Sequence, residues 1–212
     1  MLNPKFARYG SEDVRRLIAD YPLAWVLSPG APVATATVLP LLGRYDADGR
    51  LVGLVGHMSR RRELHALLQA DPQAHFLFTG PQGYVSPEHS GRRSWGPTWN
   101  YATLQIEGEV HFDEALSGPA IAQLVDHCEG GRSAPWAQDE LGARYEAMLG
   151  AIIGFEVTVT GLDATFKLAQ DEDDEVLGNL ASGHPDPALR DWIRRLNADR
   201  LGPGGALDKG TK

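Results

Sequence analysis

Leu51-Val52-Gly53-Leu54-Val55-Gly56-His57-Met58-Ser59-Arg60-Arg61-Arg62-Glu63-Leu64 is the stretch whose reading decides the fold. Leu51 to Val55 is an apolar run and reads as a buried strand. Beyond it, Leu64, Leu67 and Leu68 fall at helical spacing until Asp71-Pro72 stops the helix. A strand therefore feeds a helix, with Ser59 placed as the N-cap. On that reading three arginines occupy the first helical turn, where the macrodipole is already positive and acidic residues would stabilise. Each such cation costs a few tenths of a kcal/mol, and a bound anion reverses the sign. Unpaired backbone N–H groups, a serine hydroxyl and guanidinium forks together describe a phosphate seat. A solvated basic helix start is the alternative.

Upstream, Ser11 caps a short helix with Val14, Leu17 and Ile18 on one face. Ala24 to Leu27 reads as a strand, and Val33 to Leu42 as a second extended run, with Pro40 pointing to an edge or bulge. Asp46 to Gly49 is a turn before the strand that ends at His57. Downstream, Ala74 to Thr79 reads as a strand bounded by Gly80-Pro81, and Glu88 to Gly96 as a mobile polar loop. Leu104, Ile106, Val110 and Phe112 alternate with Gln105, Glu107, Glu109 and His111, giving a half-buried strand with a bulge expected at Gly108. Helices follow around Ile121, Leu124 and Val125 and around Leu141, Tyr145, Met148 and Leu149. Ile153, Phe155, Val157 and Val159 form another strand. An acidic helix start at Asp171 to Glu175 and a Leu189, Trp192, Ile193, Leu196 stripe end the pattern. Short strands with helices inserted between them predict a mainly β (α+β) fold built on a small closed barrel. Residues 1–200 read as one domain with a helical C-terminal extension, and 201–212 as a flexible tail.

A chain of 212 residues with a formal net charge of −8 lacks the basic surface of a general nucleic-acid binder. One cysteine, Cys128, excludes an internal disulfide framework and fits a reducing compartment. Neither a signal core nor an apolar span is present, so the expected location is the cytoplasm. The seven histidines show no metal-ligand spacing, so no metal is expected, and no catalytic acid–base pair stands out.

Phe78-Thr79-Gly80-Pro81-Gln82-Gly83-Tyr84-Val85-Ser86-Pro87 and Pro97-Thr98-Trp99-Asn100-Tyr101 resemble the signature of the PaiB-like family, FMN-binding negative transcriptional regulators. Thr37 to Leu42, Gly56-His57 and Phe166-Lys167-Leu168-Ala169-Gln170 support the resemblance. It implies a split β-barrel of the FMN-binding type, a homodimer with flavin at the subunit interface, and a phosphate held by Ser59, Arg60 and Arg61. Arg62 is expected to point away, since successive helical positions cannot share one face. His57 either donates to the phosphate or substrate, or is a strand-end histidine. Thr35 and Thr37 either face the ligand or reflect β-propensity. Trp99 and Tyr101 wall the flavin or pack the dimer seam. Gln105 stands where related oxidases place a flavin-contacting glutamine, whereas Asn100 serves a turn or reads the flavin edge.

The resulting expectation is an FMN-binding split-barrel protein with a small-molecule substrate, working as a flavin-dependent oxidoreductase. The alternatives are a PaiB-type regulator acting through DNA or a protein partner, and a haem-binding relative. DNA contact is implied by the family name but opposed by the charge.

Overall fold

The computed structural model describes residues 3–202. Its strands are β1 (Leu23–Leu27), β2 (Thr37–Tyr45), β3 (Leu51–Ser59), β4 (Gln73–Val85), β5 (Thr98–Asp113) and β6 (Ile152–Lys167). They close into an antiparallel barrel in the order β1-β2-β3-β6-β5-β4. The helices are α1 (Ser11–Asp20), α2 (Glu63–Ala70), α3 (Pro87–Ser90), α4 (Ser117–Glu129), α5 (Arg144–Leu149), α6 (Asp174–Gly183) and α7 (Pro187–Leu196). None is long and apolar enough to cross a membrane. The expected barrel with inserted helices is what forms, through strands longer than their local patterns suggest.

Two compact units share these strands. The larger comprises 11–78 and 104–163. Here β1 pairs with β2 up to Leu23↔Pro40, and β2 pairs with β3 from Leu41↔Gly56 onward. Pro40 therefore sits where β2 passes from one neighbour to the next, and the register slip lies further on, at Arg44/Tyr45. The Val33 to Leu42 run is not extended throughout: Val33–Thr35 form a 3-10 turn in which Thr35 Oγ1 donates to the Pro32 carbonyl at 2.8 Å. From Thr37 on, alternation turns Thr37, Leu39 and Leu41 to the buried face. Gly108 is no bulge but stays in the alternation of β5, where a Cβ would lie 2.5 Å from Val157 Cγ1. The helices α1 and α4 both pack against β2 and β3.

β3 pairs with β6 from Gly53↔Thr158 to Ser59↔Ile152, and the Arg60 N–H still reaches the Ala151 carbonyl at 3.2 Å. This ladder overrides the local capping signal at Ser59. The helix begins four residues later, with Arg62 as an N-cap that makes no side-chain bond and Glu63 in the first turn. The arginines thus occupy a turn, and the first-turn charge is acidic, as the macrodipole favours. Beside His57 in the ladder lies Gly154, whose N–H donates to Ser117 Oγ at 2.9 Å. A Cβ on Gly154 would lie 2.4 Å from the Leu116 carbonyl carbon, so the backbone leading into α4 docks directly on β6.

The smaller unit comprises 3–10, 79–103 and 164–202. β4 does not stop at Gly80-Pro81 but continues to Val85, and its ladder with β1 has already ended at Ala24↔Phe78. The Phe166 ring lies 5.9 Å from that of the buried Trp192, and the Tyr9 ring 5.3 Å from Phe166. Ala169 is left-handed at φ 67° and buried. Ordering by neighbours offsets that strain: Gln170 accepts from the Leu168 N–H at 2.7 Å and donates to the Phe166 carbonyl at 2.6 Å, and Asn197 donates to the Leu168 carbonyl at 2.9 Å.

Residues 88–96 are held rather than loose. Ser86 and His89 form a capping box around α3, Arg92 pairs with Asp173 and Glu175, and Trp95 donates to Glu172 at 3.0 Å. The acidic run is thus spent on Arg92 and on capping α6, where Asp173 accepts from the Val176 N–H at 3.1 Å. Those bonds, the backbone one first, hold the Asp173 carboxyl below the usual carboxylate range. Leu201, expected in a tail, is buried, and 203–212 lie outside the described residues.

Two outcomes follow from the β3–β6 seam. Gly154→Ala should destabilise the protein by about 1–3 kcal/mol or more, read as a lower urea midpoint, because the methyl meets backbone that cannot rotate away. An unchanged midpoint would mean that the approach is not tight. Burial pushes the His57 imidazole below its ordinary value near 6.5. The unfolded chain then takes up the proton first, so this contribution to stability is complete above about pH 6.5 and is lost as pH falls toward the lowered folded value. Urea midpoints between pH 7.5 and 5 should fall less steeply in His57→Gln than in the wild type.

Candidate functional site

The turn from Ser59 to Arg62 joins the end of β3 to α2. Ser59 Oγ accepts from the Arg61 N–H at 3.3 Å, which tightens the turn. Arg60 folds back: its Nη1 donates to Glu114 at 2.6 Å, Nη2 to the other carboxylate oxygen, and Nε to the Gly150 carbonyl at 3.1 Å. The bidentate bond raises the Arg60 guanidinium further and lowers the Glu114 carboxyl. Arg60 is therefore a strut between β3 and the segment before α4, with its donors largely spent.

Arg61 and Arg62 differ. Both are exposed, and among the described residues neither guanidinium has an ion pair or hydrogen bond. They flank a helix start with no side-chain cap. Of the expected phosphate ligands, Ser59 tightens the turn, Arg60 is committed to Glu114 and Arg61 is uncommitted, as is Arg62, expected to point away. A dianionic phosphate fits this set: two unspent guanidiniums beside open helical N–H groups supply charge and donors that the fold does not use.

His65 closes the back of the turn. Its Nδ1 lies 3.2 Å from the Arg60 carbonyl, so Nδ1 carries the proton, and Nε2 is buried without a hydrogen bond. Its ring stands edge-on to Phe112 at 4.7 Å. His57, two residues before Ser59, is half-buried, with Nδ1 also lacking a hydrogen bond.

The remaining expected residues separate by face. Thr37 is only 6% exposed, opposite Val26, and so is turned away from any surface ligand. On β5 the outward face carries the exposed Trp99, the half-buried Tyr101 and the exposed Gln105. Trp99 meets Tyr84 edge to face at 6.1 Å. Gln105 lines a groove of about 370 Å³ with His75, Leu77, Glu107, Gly161 and Leu162. Asn100, expected to serve a turn or read the flavin edge, faces inward at 2% exposure, with its Nδ2 unpaired among the described residues. Among the described residues, no cluster of histidine, cysteine and carboxylate side chains is placed to hold a metal.

Sequence reasoning missed Glu114 and His65. Nothing local marks Glu114, since its arginine lies 54 positions away. His65 carried a weak signal, being about one turn from the arginines on a mostly apolar helix.

Comparison with known proteins supplies the family. Residues 1–161 match the family described as "Putative FMN-binding domain". The chain is 25% identical over 179 residues to the protease synthase and sporulation protein PAI 2 of Bacillus subtilis, covering 82% of this chain and 84% of that protein. An uncharacterized protein of Emericella nidulans is 27% identical over 199 residues, covering 74% and 79%. Among solved structures, an FAD and heme binding protein of Mycobacterium smegmatis superposes with a TM-score of 0.57 at 20% identity, covering 83% and 79%. A flavocytochrome of Azotobacter vinelandii gives 0.52 at 17%, covering 76% and 69%. These two likenesses concern the fold. By the match over most of its length, the chain belongs to the PaiB-like family of FMN-binding domains and has their split-barrel fold.

Proposed function

We propose that this protein binds FMN through its phosphate at the Ser59–Arg62 turn and works as a cytoplasmic, homodimeric flavin-dependent oxidoreductase. The observation that carries the reading is the pair Arg61 and Arg62, cations without a counter-charge among the described residues, beside a helix start with no side-chain cap. Ser59 adds a hydroxyl, and Arg60 holds the turn in shape through Glu114. Bound FMN would supply two-electron redox chemistry at its ring. The protein's share is to anchor the phosphate, exclude water and offer polar edges such as Gln105. His57, kept neutral by burial, is suited to donate or accept a hydrogen bond without adding charge.

The dimer is supported by the outer face of the larger unit. Trp25 pairs with Val38 on one side and Leu77 on the other, and all three are exposed, at 51%, 40% and 38%. An apolar row across three adjacent strands is the kind of surface that a second copy covers. Direct DNA binding is disfavoured by the net charge of −8. A regulatory role, suggested by the sporulation-protein name of the Bacillus relative, then runs through flavin chemistry or a protein partner.

Protein purified with the double substitution Arg61→Ala and Arg62→Ala should lose its flavin absorbance bands, whereas the wild type retains them or takes up added FMN. A double variant that stays yellow would sink the phosphate assignment, and a haem Soret band in the wild type would replace the cofactor. Trp25→Asp should convert a dimer into a monomer in light scattering; a monomeric wild type would remove the dimer.

A further inference from the structure

A second pocket lies between α1 and α4 over the far end of β2, within the larger unit and with a volume of about 370 Å³. Its floor exists because residue 43 has no side chain. A Cβ on Gly43 would fall 2.2 Å from the Tyr45 hydroxyl, so the Tyr45 ring folds back over bare backbone. The Arg15 guanidinium carbon sits 4.2 Å from the centre of that ring, a cation–π stack. Burial pushes the Tyr45 phenol up to about 12, outweighing the opposite pull of Arg15, so the floor is uncharged.

The charges on the walls are only partly spent. Arg15 Nε is buried with no hydrogen bond, and its ion pair to Glu12 is long, at 3.5 Å. Across the pocket, Gln123, Asp126 and His127 stand at i, i+3 and i+4 on one face of α4. The Asp126 carboxylate has no ion pair or hydrogen bond among the described residues. His127 Nε2 lies 2.9 Å from the Ala19 carbonyl, so it donates to one of the last carbonyls of α1 and ties the two helices together. Ile18 and Leu42 add apolar wall between the charged groups.

A cation held only by a long ion pair, a carboxylate with no partner among the described residues and an apolar surface in one pocket match a ligand carrying the opposite three features. We infer that this pocket binds an α-amino acid with an apolar side chain, its carboxylate on Arg15, its ammonium on Asp126, and its side chain against Ile18 and Leu42. A simple carboxylic acid would leave Asp126 unpaired, and a simple amine would leave Arg15 Nε without a hydrogen bond. The volume lies in the range of small-molecule pockets, ~300–1,000 Å³. The site shares no residue with the Ser59–Arg62 turn and does not depend on flavin.

Isothermal titration calorimetry of the full chain with L-leucine, L-valine and L-phenylalanine tests this. At least one should bind saturably, while isocaproate and isopentylamine, which lack the amine and the carboxylate of leucine, should not. Asp126→Asn and Arg15→Gln should each raise the Kd about tenfold or more. Asp126 is exposed, so its substitution leaves the core intact and decides the matter even if Arg15→Gln fails to fold. The variant carrying Arg61→Ala and Arg62→Ala should still bind the amino acid, which keeps this outcome separate from that of the flavin site. No binding of any of the three, binding of the single-charge analogues with equal affinity, or an unchanged Kd in Asp126→Asn would overturn the inference.

Discussion

The β3–β6 ladder is the constraint on which the rest depends. By running to Ser59↔Ile152 and taking one more bond at Arg60, it keeps the chain extended where local capping would start a helix. That extension turns Arg60 back toward Glu114 and leaves Arg61 and Arg62 outward. The same ladder brings Gly154 beside His57 and so fixes where α4 departs. A hydrogen-bond register thereby decides which guanidinium is structural and which are free.

Electrostatics in this protein is mostly a matter of cations already engaged. Arg60 is held by Glu114, Arg92 by Asp173 and Glu175, Arg200 by Asp174, and Arg44 by Glu156. Exposed pairs of this sort add little stability, but they orient segments. Arg92 is the clearest case, since it fastens 88–96 to the start of α6. Against a net charge of −8, a cation with no partner is therefore informative. Those unpartnered among the described residues include Arg61 and Arg62, and the half-spent Arg15 lines a pocket.

Close approach to bare backbone recurs at glycine. Gly154 lets the segment before α4 touch β6, Gly108 faces Val157 across the buried side, and Gly43 lets Tyr45 lie flat. In each case the missing Cβ has a steric reason that a turn or a bulge does not supply. Ala169 is the converse, a residue with a Cβ held left-handed because Gln170 and Asn197 bind the chain around it.

The sequence by itself determined the elements whose signals are local and periodic. The apolar face of α1, the alternation of β5 about Leu104 and Ile106, the stripe of α7 and the acidic start of α6 were all legible, because each depends on residues within a few positions of one another. The barrel followed from their number and spacing, and the family from its motifs. Tertiary structure alone decided the strand ends and the state of each charged side chain. Ser59 lost its capping role to a partner strand some 90 residues away, as Arg60 was claimed by the equally remote Gly150 and by Glu114. Thr37 was turned inward by the register of β2, and Pro81 was absorbed into β4 beyond the end of its ladder with β1. The free energy of a strand pairing or a bidentate ion pair belongs to two distant segments at once, so neither segment read singly contains it.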